Sequence, residues 1–261
     1  MNSRTQLALP TTLTDLLVAR EKALKLFADS RRTLAMAEDL LKQYGPYLMP
    51  FSGQIRDCEE TVRRELDRKM WERALDLTGF KQLMDTDEVK SLDKSLEGPP
   101  PEFTENNIRA TLIDLQIRAD EMFRRGVFKV FRSLSDDYRA NESEPFRIGS
   151  KVVMGGMVRP AFRRGLCIND GHKNYAGDKL NDIDRVIKTL DKKLFHARSL
   201  EMAMNGVFQD RGVYEDDYYR AKAFKNGNLH LEFKRPDLLD KLNEQIADYY
   251  TYNALADGRN A

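Results

Sequence analysis

"FKNGNLHLEFKRPDLLDKLN", residues 224–243, decides how the C-terminal half of this 261-residue chain folds. It reads as strand, tight turn, strand, and then a helix opened by a proline. Asn226-Gly227 is a strong turn signal because both residues tolerate positive φ. Pro236 and Asp237 suit the first turn of a helix, where the missing amide costs nothing and a negative charge meets the positive end of the dipole. A two-residue turn would set Lys222 opposite Leu231 and Arg220 opposite Phe233, mixing charged and apolar side chains on one face. A three-residue loop over Asn226–Asn228 instead gathers Ala221, Ala223, Leu231 and Phe233 on one face. Register follows the buried face, so the second arrangement is expected, with Lys222 as the cross-strand partner of Glu232.

The other face of that hairpin carries His230, Glu232 and Lys234 at alternate positions. Glu232 and Lys234 form the E-x-K half of a metal-dependent nuclease site, in which the carboxylate holds Mg²⁺ and the lysine helps to activate water. Asp216 or Asp217, ahead of the first strand, would be the second acid, and His172 a remote helper. The plainer reading is the wet face of a small sheet. An E-x-K triplet arises often by chance in a chain with 43 basic and 42 acidic residues. His172 sits in "NDGHKNY", expected to be a polar glycine turn, with no second histidine at a useful spacing. His196 follows an apolar helix face and reads as packing.

Upstream, the charge is uneven although the formal net charge is only +1. Residues 145–198 hold twelve Lys and Arg against five Asp and Glu. If Arg159, Arg163, Arg164, Lys173, Arg185, Lys188, Lys192 and Lys193 converge, they attract phosphate backbones with salt-sensitive, largely sequence-independent affinity. An acidic protein partner accounts for the same charges, and so does a solvated surface balanced by the acidic flanks.

The N-terminal half is helical by pattern. Leu17, Leu24, Phe27, Leu34, Leu41 and Tyr44 recur at steps of seven and three over Thr14–Tyr44, a narrow seam of coiled-coil type. A second helix is expected over Gln54–Thr78, with Ile55, Cys58, Val62, Leu66, Met70, Ala74 and Leu77 as its stripe. Joined near Pro46 and Pro50, the two should fold back on each other. A shorter helix covers Thr86–Leu96. "EGPPPEF" (97–103) is a stiff break, because its prolines fix the backbone and remove donors. Thr104 then caps a long central helix to Leu134, whose inner stripe includes Ile108, Leu115, Met122, Gly126 and Val130. Residues 146–165 read as short strands and 168–180 as a turn-rich loop. Leu180, Ile183, Ile187, Leu190 and Leu194 mark another helix, followed by a short one over Leu200–Phe208. The expected class is therefore α+β, mainly helical: a helical hairpin region (1–97) and an α+β domain (102–261) with a β-hairpin and flanking helices.

Apolar residues make up 41% and charged residues 33% of the chain, which suits helices with long solvated faces. Cys58 and Cys167 match no ligand or redox spacing, and ten methionines without a disulfide framework suit a reducing cytoplasm. No signal-peptide layout and no membrane-spanning apolar run is present, so a cytoplasmic protein without membrane contact is expected. No Walker-type loop, dinucleotide fingerprint, nucleophile elbow or Cys/His cluster appears, so no cofactor and no resident metal is expected.

The opening stretch together with "LNDIDRVIKTLDKK" (180–193) resembles the domain-of-unknown-function family number 4942. The helix "DIDRVIKTLD", the hairpin "FKNGNLHLEF" and the exit "RPDLLDKLN" carry the likeness, which extends from the central helix to about Tyr250. The resemblance implies a phage, plasmid or integrative-element setting, sometimes beside adenine methyltransferases. "GPPPEF" lacks the Asn or Asp of an [ND]-P-P-[YFW] motif, so methyl transfer is not expected. The family supplies no catalytic residues. The function expected is that of a non-enzymatic accessory protein binding DNA or an acidic host protein, in restriction or defence interference or beside DNA modification. The alternatives are the small nuclease described above and a structural oligomer, a homodimer through residues 14–78.

Overall fold

Thr12 opens the first helix through a capping box: its hydroxyl accepts from the Asp15 amide (3.1 Å), and the Asp15 carboxylate accepts from the Thr12 amide (2.8 Å). This helix, α1, spans Leu13–Lys42, and α2 spans Glu59–Thr78, where Gly79 at φ 73° closes it in the left-handed conformation. The structure is a computed structural model that describes residues 12–45, 58–137, 141–144, 146–162, 165–210 and 212–257. The expected start of the second helix at Gln54 lies outside these. Contacts divide the chain into two units, Met1–Lys81 with Lys90–Gln116, and Gln82–Val89 with Ile117–Ala261. Helices α3 (Thr86–Glu97) and α4 (Glu105–Ser135) have residues in both.

In the first unit α1 and α2 pack together, and the buried face of α2 is turned from the expected stripe, sharing only Ala74 with it. The buried positions of α2 are Asp67, Trp71, Ala74 and Leu75, whereas Leu77 is exposed. The helix is turned because Asp67 receives buried Arg20 of α1 in a two-point bridge, Nε to Oδ1 at 2.5 Å and Nη2 to Oδ2 at 3.0 Å. Trp71 fixes the same orientation. Its indole donates to the Pro101 carbonyl (2.8 Å), and its ring meets Phe103 edge-on at 5.3 Å. The proline segment is thus a wall of this unit. On α1 only Leu16 and Arg20 are buried, and the seven-residue seam is half-exposed.

The second unit is built on strands β1 (Glu142–Glu144), β2 (Arg147–Ile148), β3 (Lys151–Met154), β4 (Val158–Pro160), β5 (Leu166–Ile168), β6 (Tyr214–Glu215), β7 (Tyr219–Ala223) and β8 (Leu229–Phe233). Helices α5 (Gly171–Leu190), α6 (Ser199–Phe208) and α7 (Pro236–Asp257) join the C-terminal part of α4 around them. The main sheet is antiparallel, ordered β3-β8-β7-β6, and β1-β2 and β4-β5 are separate pairs. Val152, Met154, Tyr219, Ala221, Leu229, Leu231 and Phe233 line its inner face and pack with Val127, Phe131, Leu180, Ile183, Leu238 and Leu242 from the helices. The α+β, mainly helical class is that of the sequence reading.

Two local expectations change. Residues 168–180 are not a loop: α5 begins at Gly171, because Ala176 and Leu180 extend the apolar period one turn earlier and reach the core. The helix then ends at Leu190, and Leu194 is 65% exposed. The hairpin keeps the expected face but slips by two residues. Ala221 opposes Leu231, Arg220 opposes Glu232 and Lys222 opposes His230. Phe224 and Asn228 close the turn, the Phe224 amide donating to the Asn228 carbonyl at 2.9 Å, so the loop is Lys225–Gly227. Gly227 stands last in it at φ 90°, where a three-residue loop requires a left-handed residue and glycine is the least strained.

Candidate functional site

Strand alternation gives the main sheet one buried and one open face. On the open face the register lines up Lys151, Glu232, Arg220 and Glu215 across all four strands. Lys151 Nζ lies 3.6 Å from Glu232 Oε2 and Arg220 Nε 3.7 Å from Glu215 Oε2, and Lys234 Nζ reaches Glu215 Oε1 at 3.0 Å. Signs therefore alternate along the row. Exposed pairs of this kind each contribute only about 0–1 kcal/mol, so the row is a solvated ladder and a weak source of stability. The lysine holds the Glu215 carboxyl below its ordinary range.

One row further along lie Val153, His230 and Lys222. The Phe224 ring sits against His230 with centroids 4.3 Å apart, and Lys222 Nζ stands 5.3 Å from the Phe224 centroid. Two shallow hollows meet at Lys222. One, of about 260 Å³, is lined by His230, Arg220, Lys151 and Glu232 among others. The second, of about 320 Å³, is lined by Phe224, Lys225, Phe208 and Leu166 among others. Taken together their linings hold four Lys or Arg (Lys151, Arg220, Lys222, Lys225) against one acid, Glu232. Small-molecule sites run from roughly 300 to 1,000 Å³, so the second hollow lies at the lower end and the first just below it.

The residues of the nuclease reading have other engagements. The Asp216 carboxylate accepts from the amides of Tyr218 (2.8 Å) and Tyr219 (2.6 Å) and from the Tyr214 hydroxyl (2.7 Å), which makes it the turn-former that starts β7. Lys234 Nζ donates to the Asp216 carbonyl at 2.6 Å. Asp217 is exposed, and His172 lies in the first turn of α5. Among the described residues no group of three or more His, Cys, Asp or Glu is placed to hold a metal ion.

Among the described residues, the basic tract is spread over joints and separate surfaces. Arg185 is 1% exposed, so it is not a surface contact. Its guanidinium threads past Gly126 of α4, where a β-carbon would stand 2.6 Å from Nη2, and Nη1 donates to the Gln82 carbonyl at 3.2 Å. Its Nε lies 3.7 Å from Asp182 Oδ1, an oxygen that also accepts from the Thr86 amide and hydroxyl, each at 2.8 Å. Burial pushes the Arg185 pKa down and the Asp182 pKa up. Lys188 turns to buried Asp184 at 3.2 Å, and Arg159 of β4 pairs with Asp170 at 2.6 Å. Lys192 and Lys193 are exposed beyond the end of α5, and Lys173 is in its first turn. Arg163 and Arg164 lie outside the described residues.

A belt of polar joints ties these elements. Tyr218 donates its hydroxyl to Asp191 Oδ2 (2.7 Å) at the end of α5, and this bond lifts the phenol to about 12. Arg235 Nη2 reaches Asp191 Oδ1 (3.3 Å) and Asp237 Oδ2 (2.7 Å), which holds the Asp237 carboxyl at about 2. Asn243 of α7 accepts from the Ile148 amide and donates to its carbonyl, at 2.8 and 3.1 Å.

Fold and site together define an α+β protein whose open sheet face carries a row of alternating charges and two aromatic rings in contact. The family model described as "Domain of unknown function (DUF4942)" matches residues 63–252, and the chain belongs to that family. The match starts inside α2, earlier than the central helix at which the likeness was expected to begin. No curated protein and no solved structure matches the chain. Among the described residues no helix is long and apolar enough to cross a membrane.

Proposed function

We propose that this is a non-enzymatic accessory protein that binds nucleic acid on the open face of the β3-β8-β7-β6 sheet, in the host cytoplasm. The restriction-interference or DNA-modification setting of a mobile element is the one implied by the family resemblance. The observation that carries the reading is the excess of cationic over acidic side chains at the two hollows, four to one in their linings and four to two with Glu215 beside Arg220. Of the carboxylates of the nuclease alternative, Asp216 is occupied as a turn-former and Glu232 as a ladder partner, which supports binding over cleavage. Fluorescence anisotropy with labelled DNA over a salt series tests it. Three to four phosphate contacts give a slope of log K against log salt of about −2 to −3.5. A flat response, or binding unaltered in a Lys151→Glu, Arg220→Glu double variant, overturns it.

A second reading concerns the first unit alone. Leu26, Met36 and Leu40 of α1 are each at least 60% exposed. Such a row favours self-association through residues 14–78. Sedimentation of the full chain should show a dimer that Leu26→Glu with Met36→Glu converts to a monomer; a monomeric parent chain refutes it.

A further inference from the structure

We infer that the sheet face takes an unpaired strand, with two successive bases in the two hollows and the phosphate between them at Lys222. This rests on the nucleic-acid reading above and narrows it. Charge alone suits any polyanion, but here each hollow has an aromatic wall, His230 in the first and Phe224 with Phe208 in the second. Lys222 lines both. The His230 and Phe224 rings stand against each other at 4.3 Å with Lys222 beside them, so the lysine is placed for the phosphate that joins two bases set on this pair, and bases without partners stack on such rings irrespective of sequence. Cations stand at both ends, Arg220 and Lys151 at the rim of the first hollow and Lys225 at the rim of the second, placed for the flanking phosphates. Glu232 lies between Lys151 and Arg220 in the same row. A duplex brings a second phosphate strand across the surface and would set it against that carboxylate. A single strand crosses between the cations.

The test is anisotropy of a labelled oligothymidine and of a duplex of equal length, with heparin as a polyanion that has no bases. Single-stranded DNA should bind at least tenfold more tightly than duplex. Phe224→Ala and His230→Ala should each weaken it roughly 5- to 150-fold, the range for losing one base–aromatic stack, and leave heparin affinity within twofold. Phe224→Tyr and His230→Tyr keep a ring and should restore most of the affinity, which separates lost stacking from lost structure. Lys222→Ala should reduce the salt slope by about 0.7, one single-strand phosphate. If the alanine variants bind oligothymidine within twofold of the parent while Lys151→Glu with Arg220→Glu abolishes binding, the inference is overturned and the polyanion reading stands. If the parent chain binds neither DNA nor heparin, both fall.

Discussion

Replacing Arg185 with alanine separates a buried joint from a surface contact. The guanidinium makes one hydrogen bond, to the Gln82 carbonyl, and stands 3.7 Å from Asp182 within a side chain that is 1% exposed. Removing it leaves the partly buried Asp182, 15% exposed, without its cation, while that carboxylate still holds the first turn of α3 through Thr86. Breaking a buried pair from one side costs about 3–5 kcal/mol, because the remaining charge keeps its desolvation penalty. Taking away both charges is different. Arg185→Met with Asp182→Asn should restore most of the loss, since apolar or neutral substitutes for buried pairs are often neutral in net effect. Gly126→Ala probes the same contact from α4. Its new methyl would stand 2.6 Å from Nη2 of a fully buried side chain, an overpacking cost of about 1–3 kcal/mol.

Urea unfolding followed by far-UV ellipticity measures these costs. Trp71, the only tryptophan, belongs to the first unit, so its fluorescence is not the readout for α5. The double variant, once folded, should bind DNA within twofold of the parent. A loss under about 1 kcal/mol for Arg185→Ala, accompanied by weaker and less salt-sensitive DNA binding, would refute the burial argument and return Arg185 to the surface tract.

Three further outcomes follow from the same contacts. Burial raises the Asp184 pKa in the folded state above its unfolded value, near 3.9, so the folded chain keeps a proton that the unfolded chain has released. Its contribution is greatest below about pH 4 and is lost as pH rises toward the raised value; Asp184→Asn should flatten the stability–pH profile, and an equally steep urea-midpoint profile for the variant contradicts this. Asp67→Ala leaves Arg20 buried without the carboxylate that raises its pKa, and should cost about 3–5 kcal/mol by Trp71 fluorescence in urea. Glu232→Gln removes the one acid of the two hollows and should tighten oligothymidine binding about two- to fivefold, with one less repulsion of a phosphate; divalent-ion-dependent cleavage by the parent that this variant abolishes would establish the nuclease instead.

Much of the fold could be read from spacing, because period and punctuation are local. Thr104 caps α4 as expected, its hydroxyl accepting from the Asn107 amide at 3.3 Å. The hairpin's face followed from Ala221 and Leu231. Its register did not, since Gly227 and Asn228 both tolerate the left-handed position and only the closed loop decides between them. The start of α5 was hidden by Gly171, Asn174, Gly177 and Asp178, residues that read as turn until Ala176 and Leu180 have a core to face. The stripe of α2 was misread because Asp67 looks polar, and only Arg20, 47 residues away, makes it an inside position. Arg185 carried a usable signal: a glycine inside the long helix, Gly126, marks a close approach, and the Asp182–Arg185 spacing of three supplies a partner. A count of charges could not separate such joints from a surface.

The segments that carry the family likeness now divide by chemistry. Asp191, Arg235, Asp237 and Asn243 are joints between α5, α7 and the strands. The hairpin differs, because alternation makes one short segment serve both sides of the sheet. Leu231 is 1% exposed and faces the core, whereas His230 and Lys222 face out. Leu231→Ala should therefore lower stability by about 2–5 kcal/mol without changing the salt slope of DNA binding. His230→Ala, one residue away, should weaken single-strand binding and change the unfolding free energy in urea by less than about 0.5 kcal/mol. If both substitutions moved stability and affinity together, the two faces would not be independent, and the sheet could not be scaffold on one side and binding surface on the other.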